Sequence, residues 1–224
     1  MKHLPNKLDA YLSKQIISKY LKKYANIHIV GSENLKGIKT PTIFISNHLS
    51  NADGLVLEKA LKAIDPTFVA GEKLSSNAVT SIGVHVIKTT TIKPNTADKE
   101  GLQKIINLVK QGESLLIFPE GTRSRVSSLI EAKKGILLIA KMTGAPIVPI
   151  GLHGTEKLLP INKDGNMRAE AFNYADVHIH IGKQFELQMR LKEQNKNDYE
   201  ENTIKNMMKK IAELLPENYR GIYK

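Results

Sequence analysis

Asn47-His48-Leu49-Ser50-Asn51-Ala52-Asp53 places an imidazole and a carboxylate five positions apart, directly after the β-branched run Thr42–Ser46. In an α/β sheet, ligands bind where strands end at their carboxyl termini, so His48 is expected at the sheet rim. Asp53 stands where a helix N-cap is expected, a position that favours a carboxylate. A short return loop can bring that carboxylate to His48 Nδ1, fix the tautomer and leave Nε2 as a base, as in a serine-hydrolase triad. The same spacing also suits an ordinary loop histidine followed by a capping aspartate. A second block, Pro119-Glu120-Gly121-Thr122-Arg123-Ser124-Arg125, follows the apolar run Ser114–Phe118. Gly121 permits a sharp turn with exposed amides, and Arg123 offers a planar fork suited to phosphate. Loop amides beside it can form an anion nest. Taken alone, this block also reads as a tight turn with solvated arginines.

Both blocks need strands to deliver them. Strand-like runs occur at Ile27–Val30, Thr42–Ser46, Thr67–Ala70, Val84–Ile87, Ser114–Phe118, Ile147–Ile150 and Val177–Ile181. Helical patterns lie between most of them, at Gly54–Ile64, Ala97–Lys110 and Ala132–Met142. Alternation of this kind predicts an α/β fold with a central, largely parallel or mixed sheet flanked by helices. Several strand runs are almost wholly apolar, as expected when helices cover both faces. Near the C-terminus, Asp198 and Glu201 resemble a capping box. Ile204, Met207, Met208, Ile211, Leu214 and Leu215 then follow helical spacing up to Pro216.

Residues 1–26 differ from the domain expected over 27–224. They carry Lys2, Lys7, Lys14, Lys19, Lys22 and Lys23 against one acid, Asp9. Leu12, Ile16, Ile17, Tyr20, Leu21 and Tyr24 share one arc of a helical wheel, and lysines lie opposite. A basic amphipathic helix of this type can rest in a membrane interface. Packing of the apolar arc on the sheet is the simpler alternative, and the two are compatible if only part of the arc is covered.

Composition narrows the function classes. The chain has 224 residues, and 33 Lys and Arg against 22 Asp and Glu leave a formal net charge of +11, which points to anionic partners. Aromatic residues make up 5% and Trp is absent, so a base-stacking surface for nucleic acid is not expected. With no cysteine, disulfides, thiolate metal sites and a cysteine acyl-enzyme are excluded. No secretory signal is visible at the start, and no apolar run approaches the roughly 18 residues of a membrane span. The expected location is cytoplasmic, at most peripheral on the inner face of a membrane.

Together the two blocks resemble the glycerolipid acyltransferase family, which includes glycerol-3-phosphate and 1-acylglycerol-3-phosphate acyltransferases. Asn47, His48 and Asp53 match its Asn-His-x4-Asp block. Phe118 through Ser124 match its Phe-Pro-Glu-Gly-Thr-Arg-Ser block without substitution, and Val148-Pro149-Ile150 matches a later Val-Pro-Ile strand. The resemblance covers roughly residues 27 to 185. One departure concerns a family arginine near a strand end, because no arginine occurs between His48 and Arg123. Lys88 and Lys93 are the available replacements, with Lys93 preferred because it lies just before the Asn95-Thr96-Ala97-Asp98 helix entry.

The resemblance implies acyl transfer from a thioester, either acyl-CoA or acyl-carrier protein, to a hydroxyl of a glycerol phosphate. The preferred acceptor is 1-acylglycerol-3-phosphate, giving phosphatidic acid, and no cofactor is implied. His48 would act as base and Asp53 would orient it. Glu120, Gly121, Thr122, Arg123 and Lys93 would bind the acceptor's phosphate and glycerol, with Glu120 either on a glycerol hydroxyl or holding the arginines. Val148-Pro149-Ile150 would form a wall of the acyl site. The implied partners are a lysophospholipid or glycerol phosphate, the thioester donor and an anionic membrane surface. A hydrolase using the same His–Asp pair, or a non-catalytic basic lipid-binding module, is the alternative. No metal site is expected, since His48, Asp53 and Glu120 lack a metal-binding spacing. His178 and His180 read as the polar side of a strand, while His85 and His153 read as ordinary strand or loop residues, His153 also being placed to line the cleft.

Overall fold

The computed structural model describes residues 7–71, 87–93, 96, 98–162, 164 and 169–224, with side chains from residue 11 onward. Helix α1 (Lys7–Tyr24) runs directly into β1 (Ala25–Val30). Then come β2 (Ile43–Ser46), α2 (Asp53–Ala60), β3 (Thr67–Gly71), β4 (Thr89–Ile92) and α3 (Lys99–Lys110). β5 (Leu115–Ile117), α4 (Gly135–Thr143), β6 (Ile147–His153), α5 (Thr155–Leu158), β7 (Ala175–Ile181) and α6 (Lys196–Ala212) follow, with short 3₁₀ segments at Ser32–Leu35, Glu217–Tyr219 and Gly221–Tyr223.

The strands form one sheet in the order β1-β7-β6-β2-β5-β3-β4. Every pairing is parallel except β6 with β7. The sheet is therefore mixed: β6, β2, β5, β3 and β4 share one direction and end at one rim, while β7 and β1 run the other way. Period-two alternation divides the side chains between two apolar layers. Ile43, Ile45, Leu115 and Ile117 face the layer built with α3, α4 and α6. Phe44, Leu116, Val148, Val177 and Ile179 face the layer that contains α2 and Leu21 of α1. Burial on both faces is why these strands read as nearly continuous apolar runs.

Several boundaries depart from the sequence expectation for local reasons. β4 is built from Thr89-Thr90-Thr91-Ile92, a β-branched run the pattern did not single out. The strand expected at 84–87 and His85 lie outside the described residues, apart from Ile87. α4 begins at Gly135 rather than at Ala132 because the Lys133 N–H donates to Pro119 O (2.8 Å), which ties it to the preceding loop. The cap of α6 is Asn195, not Asp198: Asn195 Oδ1 accepts from the N–H groups of Asn197 and Asp198 at 2.8 and 3.3 Å.

α1 covers only part of its arc. Leu21 is buried and Ile17 and Tyr24 pack against the sheet, whereas Tyr11, Leu12, Ile16 and Tyr20 stay exposed. No helix among the described residues is long and apolar enough to cross a membrane.

Candidate active site

β2 and β5 are adjacent, so the loops that follow them leave the same rim side by side. The β2 loop is clamped first. Asn47 Nδ2 donates to Leu152 O (2.7 Å) and Asn47 Oδ1 accepts from Leu152 N–H (2.8 Å), fixing the loop base to β6. Ser50 Oγ donates to Leu159 O at 2.7 Å, which holds the far side.

Within that loop, Asp53 is completely buried and does not cap α2. The N-cap position is Ala52, with no side-chain cap, and the Asp53 carboxylate turns back instead. Its Oδ2 accepts from Leu49 N–H (2.6 Å) and Ser50 N–H (2.9 Å), and lies 2.7 Å from His48 Nδ1. A carboxylate oxygen already receiving two backbone N–H groups can offer a third partner only acceptance, so Nδ1 carries the proton. Nε2 is then the acceptor-bearing nitrogen, directed away from Asp53. The imidazole stacks on Phe118 at 4.1 Å between centroids, 13° from parallel, so the ring plane is fixed as well.

The β5 loop meets this arrangement directly. Ser124 N–H donates to His48 O (2.7 Å), and His48 N–H donates to Glu120 Oε1 (3.1 Å). Gly121 adopts φ 68°, a left-handed conformation suited to glycine, and its N–H closes a turn onto Phe118 O. Two of the block's amides, those of Gly121 and Ser124, are therefore committed. Those of Thr122 and Arg123 have no partner among the described hydrogen bonds.

Glu120 behaves differently from either sequence expectation. It is fully buried beneath His48, with no surface for a glycerol hydroxyl, and it touches neither arginine among the described contacts. Burial pushes its carboxyl up to about 8; the N–H groups of His48 and Ile130 pull the other way, and the Asp53 charge adds to the rise. At neutral pH the folded protein thus favours the protonated form of Glu120. The ordinary carboxyl value is 4.5, so the fold binds this proton more tightly than the unfolded chain does. The associated stability is complete below about 4.5 and is lost as pH rises through about 8. Glu120→Gln should remove that slope, a differential of a few kcal/mol across the window at about 1.4 kcal/mol per pH unit. Chemical denaturation of both proteins from pH 5 to 9 measures it, and parallel curves would refute the assignment.

Arg123 is held by a residue the sequence did not single out. Its Nη1 donates to Glu170 Oε1 (3.1 Å), and Asn51 Nδ2 donates to Glu170 Oε2 (2.6 Å). The Glu170 side chain is 1% exposed, so this pair sits in a water-poor setting that orients the guanidinium. Glu170 thereby couples the Arg123 loop to the His48 loop from a third segment. Lys133, also not singled out by the sequence, lays its stem over Gly121, 3.1 Å from where a Cβ there would be. Only its position 13 residues after Phe118-Pro119-Glu120, next to Lys134, hinted at it.

Lys93 is not brought to this group. It sits at the carboxyl end of β4, three strand spacings from β2, or about 14 Å. Its backbone N–H donates to Asp98 Oδ2 (2.8 Å), and it lines a separate surface hollow with Thr91, Asp98 and Lys104. Lys88 lies at the opposite end of β4, paired with Glu113. The two lysines therefore lie at opposite ends of β4. Val148 and Ile150 are completely buried in β6, between β2 and β7, so that segment is core and not an open wall.

The family model described as Acyltransferase matches residues 26–153. Among curated proteins, the chain is 33% identical over 180 residues to the chloroplastic 1-acyl-sn-glycerol-3-phosphate acyltransferase BAT2 of Brassica napus, covering 79% of this chain and 50% of that protein. To the chloroplastic enzyme LPAT1 of Arabidopsis thaliana it is 32% identical, covering 79% and 48%. The chain thus spans about half the length of these relatives. Among solved structures, the crystal structure of the 1-acyl-sn-glycerophosphate (LPA) acyltransferase PlsC from Thermotoga maritima matches with a TM-score of 0.60 at 25% identity, covering 92% of this chain and 82% of that one.

Proposed function

Since the chain belongs to the acyltransferase family, we propose that it transfers a fatty acyl group from an acyl thioester to the free hydroxyl of 1-acylglycerol-3-phosphate, forming phosphatidic acid. The observation that carries this reading is the hydrogen-bonded joint between two loops. His48, oriented by Asp53, and Arg123, oriented by Glu170, belong to segments tied together by the Ser124 N–H to His48 O bond.

In the proposed reaction, His48 Nε2 takes the proton of the acceptor hydroxyl as that oxygen attacks the thioester carbonyl. The new O–C bond forms, the C–S bond breaks, and the leaving thiolate receives the proton from the imidazolium. Asp53 stabilises the imidazolium between the two proton transfers. A thioester is already activated, so no protein nucleophile is needed. Arg123 has five N–H donors and gives one to Glu170, which leaves a fork for the acceptor phosphate. Lys133, over Gly121, is better placed than Lys93 to add a second cation. The unengaged amides of Thr122 and Arg123 are suited to the oxyanion. The exposed Tyr11, Leu12, Ile16 and Tyr20, flanked by lysines, suit an anionic bilayer surface from which a lysophospholipid can be taken.

The test is an acyl-transfer assay with labelled acyl-CoA or acyl-carrier protein against glycerol 3-phosphate, 1-acylglycerol-3-phosphate and uncharged lysolipids, with products identified by mass. Phosphatidic acid is expected from the second acceptor. Thioester loss at an equal rate without any acceptor would instead identify a hydrolase. In the same assay, Arg123→Ala should raise the acceptor KM roughly 10–100-fold, the worth of a charge-assisted hydrogen bond, with a smaller change in kcat. An unchanged KM would remove Arg123 from the phosphate site.

A further inference from the structure

On the face of β7 turned away from Val177, Ile179 and Ile181, three imidazoles gather that the proposed reaction does not use. In the antiparallel β6–β7 register His153 stands directly opposite His178, and Gly151 stands opposite His180. His178 and His180 are two residues apart and share one face. Gly151 carries no side chain, so His180 can lean diagonally toward His153, at 6.0 Å between ring centroids. His153 and His178 are 4.6 Å apart and nearly parallel. One ring nitrogen from each of the three lies within 4.8 Å of the others.

Each of these rings is half-buried, and a fourth imidazole, His28, stacks on His178 at 4.7 Å between centroids. Three imidazoles crowded together are a poor choice for packing alone, because protonating any one of them repels the others. Burial first, then His178 and His180, pushes His153 down to about 4. Burial and then His178 lower His180 as well. A neutral imidazole is the form that binds metal. Tyr219 covers the group on one side, its ring 5.1 Å from His153 and its hydroxyl donating to Glu156 Oε1 (2.7 Å).

We propose that His153, His178 and His180 form a binding site for one late first-row divalent cation of the zinc class, with the fourth position open to water or an anion. Three imidazoles with no thiolate or carboxylate suit zinc and its neighbours rather than calcium or magnesium, which prefer oxygen ligands. Tetrahedral zinc at 2.0–2.1 Å from each nitrogen puts the nitrogens about 3.4 Å apart. The nitrogens must therefore close by somewhat over an ångström, and the stacked planes of His153 and His178 must turn out of parallel so that their in-plane lone pairs converge, a rotation about the soft terminal torsion of histidine. A bound ion would cross-link the end of β6 to β7, one residue beyond the Leu152 backbone that clamps Asn47. The site is independent of the acyl-transfer reading.

The test is titration of the chelator-treated protein with Zn²⁺ by calorimetry, with Co²⁺ as a spectroscopic probe. One ion per chain, a rise in Tm and the visible bands of four- or five-coordinate Co²⁺ are expected. His178→Gln and His180→Gln should each weaken zinc binding by more than the roughly 10–100-fold that loss of an outer-shell partner costs. If a variant does not fold, X-ray absorption at the zinc edge of the wild-type protein counts the ligands directly, with three imidazoles expected. Absence of saturable wild-type binding, affinity unchanged in both variants, or an oxygen-dominated shell would each overturn the proposal.

Discussion

His48→Ala should lower kcat by about 10²–10⁴-fold, the usual worth of a positioned general base. That loss corresponds to about 2.7–5.4 kcal/mol of transition-state stabilisation. Acceptor affinity should hardly change, because the loop is not held by the imidazole. His48 N–H to Glu120, Ser124 N–H to His48 O and the Asn47 clamp on Leu152 all survive truncation to alanine. The ring stacks on Phe118 with its side chain 20% exposed, so its removal leaves a shallow gap near the surface and not a sealed cavity. Steady-state kinetics together with equilibrium binding of lysophosphatidate separate the two effects. Near-normal turnover in a folded variant would end the general-base assignment.

Asp53→Asn is the second large effect, and it separates charge from architecture. Oδ2 accepts three donors while Oδ1 has none, so an asparagine can place its oxygen at the Oδ2 position and keep the Leu49 and Ser50 bonds. What disappears is the negative charge that, in the proposed reaction, stabilises the imidazolium. The expected result is a fall in kcat of up to about 10⁴-fold with acceptor binding largely retained, and a loss of stability confined to the amide left unpaired at the Oδ1 position. Asp53→Ala should behave differently. It strips partners from two buried backbone N–H groups at about 1–3 kcal/mol each, and so loses stability together with activity. If Asp53→Asn transfers acyl groups at near the wild-type rate, the aspartate is a loop brace and nothing more.

Local chemistry was legible wherever neighbours in the chain are also neighbours in space. The Asn47–Asp53 return is closed by bonds spanning three to five residues, so residue types and spacing were enough to anticipate the His48–Asp53 contact. The apolar runs likewise announced a sheet covered on both faces, because period and composition follow directly from burial. The same local reading misassigned the caps. Asp53 fits an N-cap by sequence, but three donors upstream of α2 compete for its carboxylate and win. Asp198 fits one too, yet Asn195 reaches the free amides first.

Amino-acid order by itself therefore determined the α/β class, the two loops of the candidate site and the likeness to glycerolipid acyltransferases. Strand order decided the rest. Placing β5 beside β2 joined loops some 70 residues apart, and putting β4 at the far edge carried Lys93 away from them. Glu170 reached Arg123 across 47 residues, and antiparallel β6–β7 pairing faced His153 with His178. The physical reason is common to all of these: which strands pair, and in which direction, is set by how two apolar layers close over the whole sheet. No window of neighbouring residues contains that information.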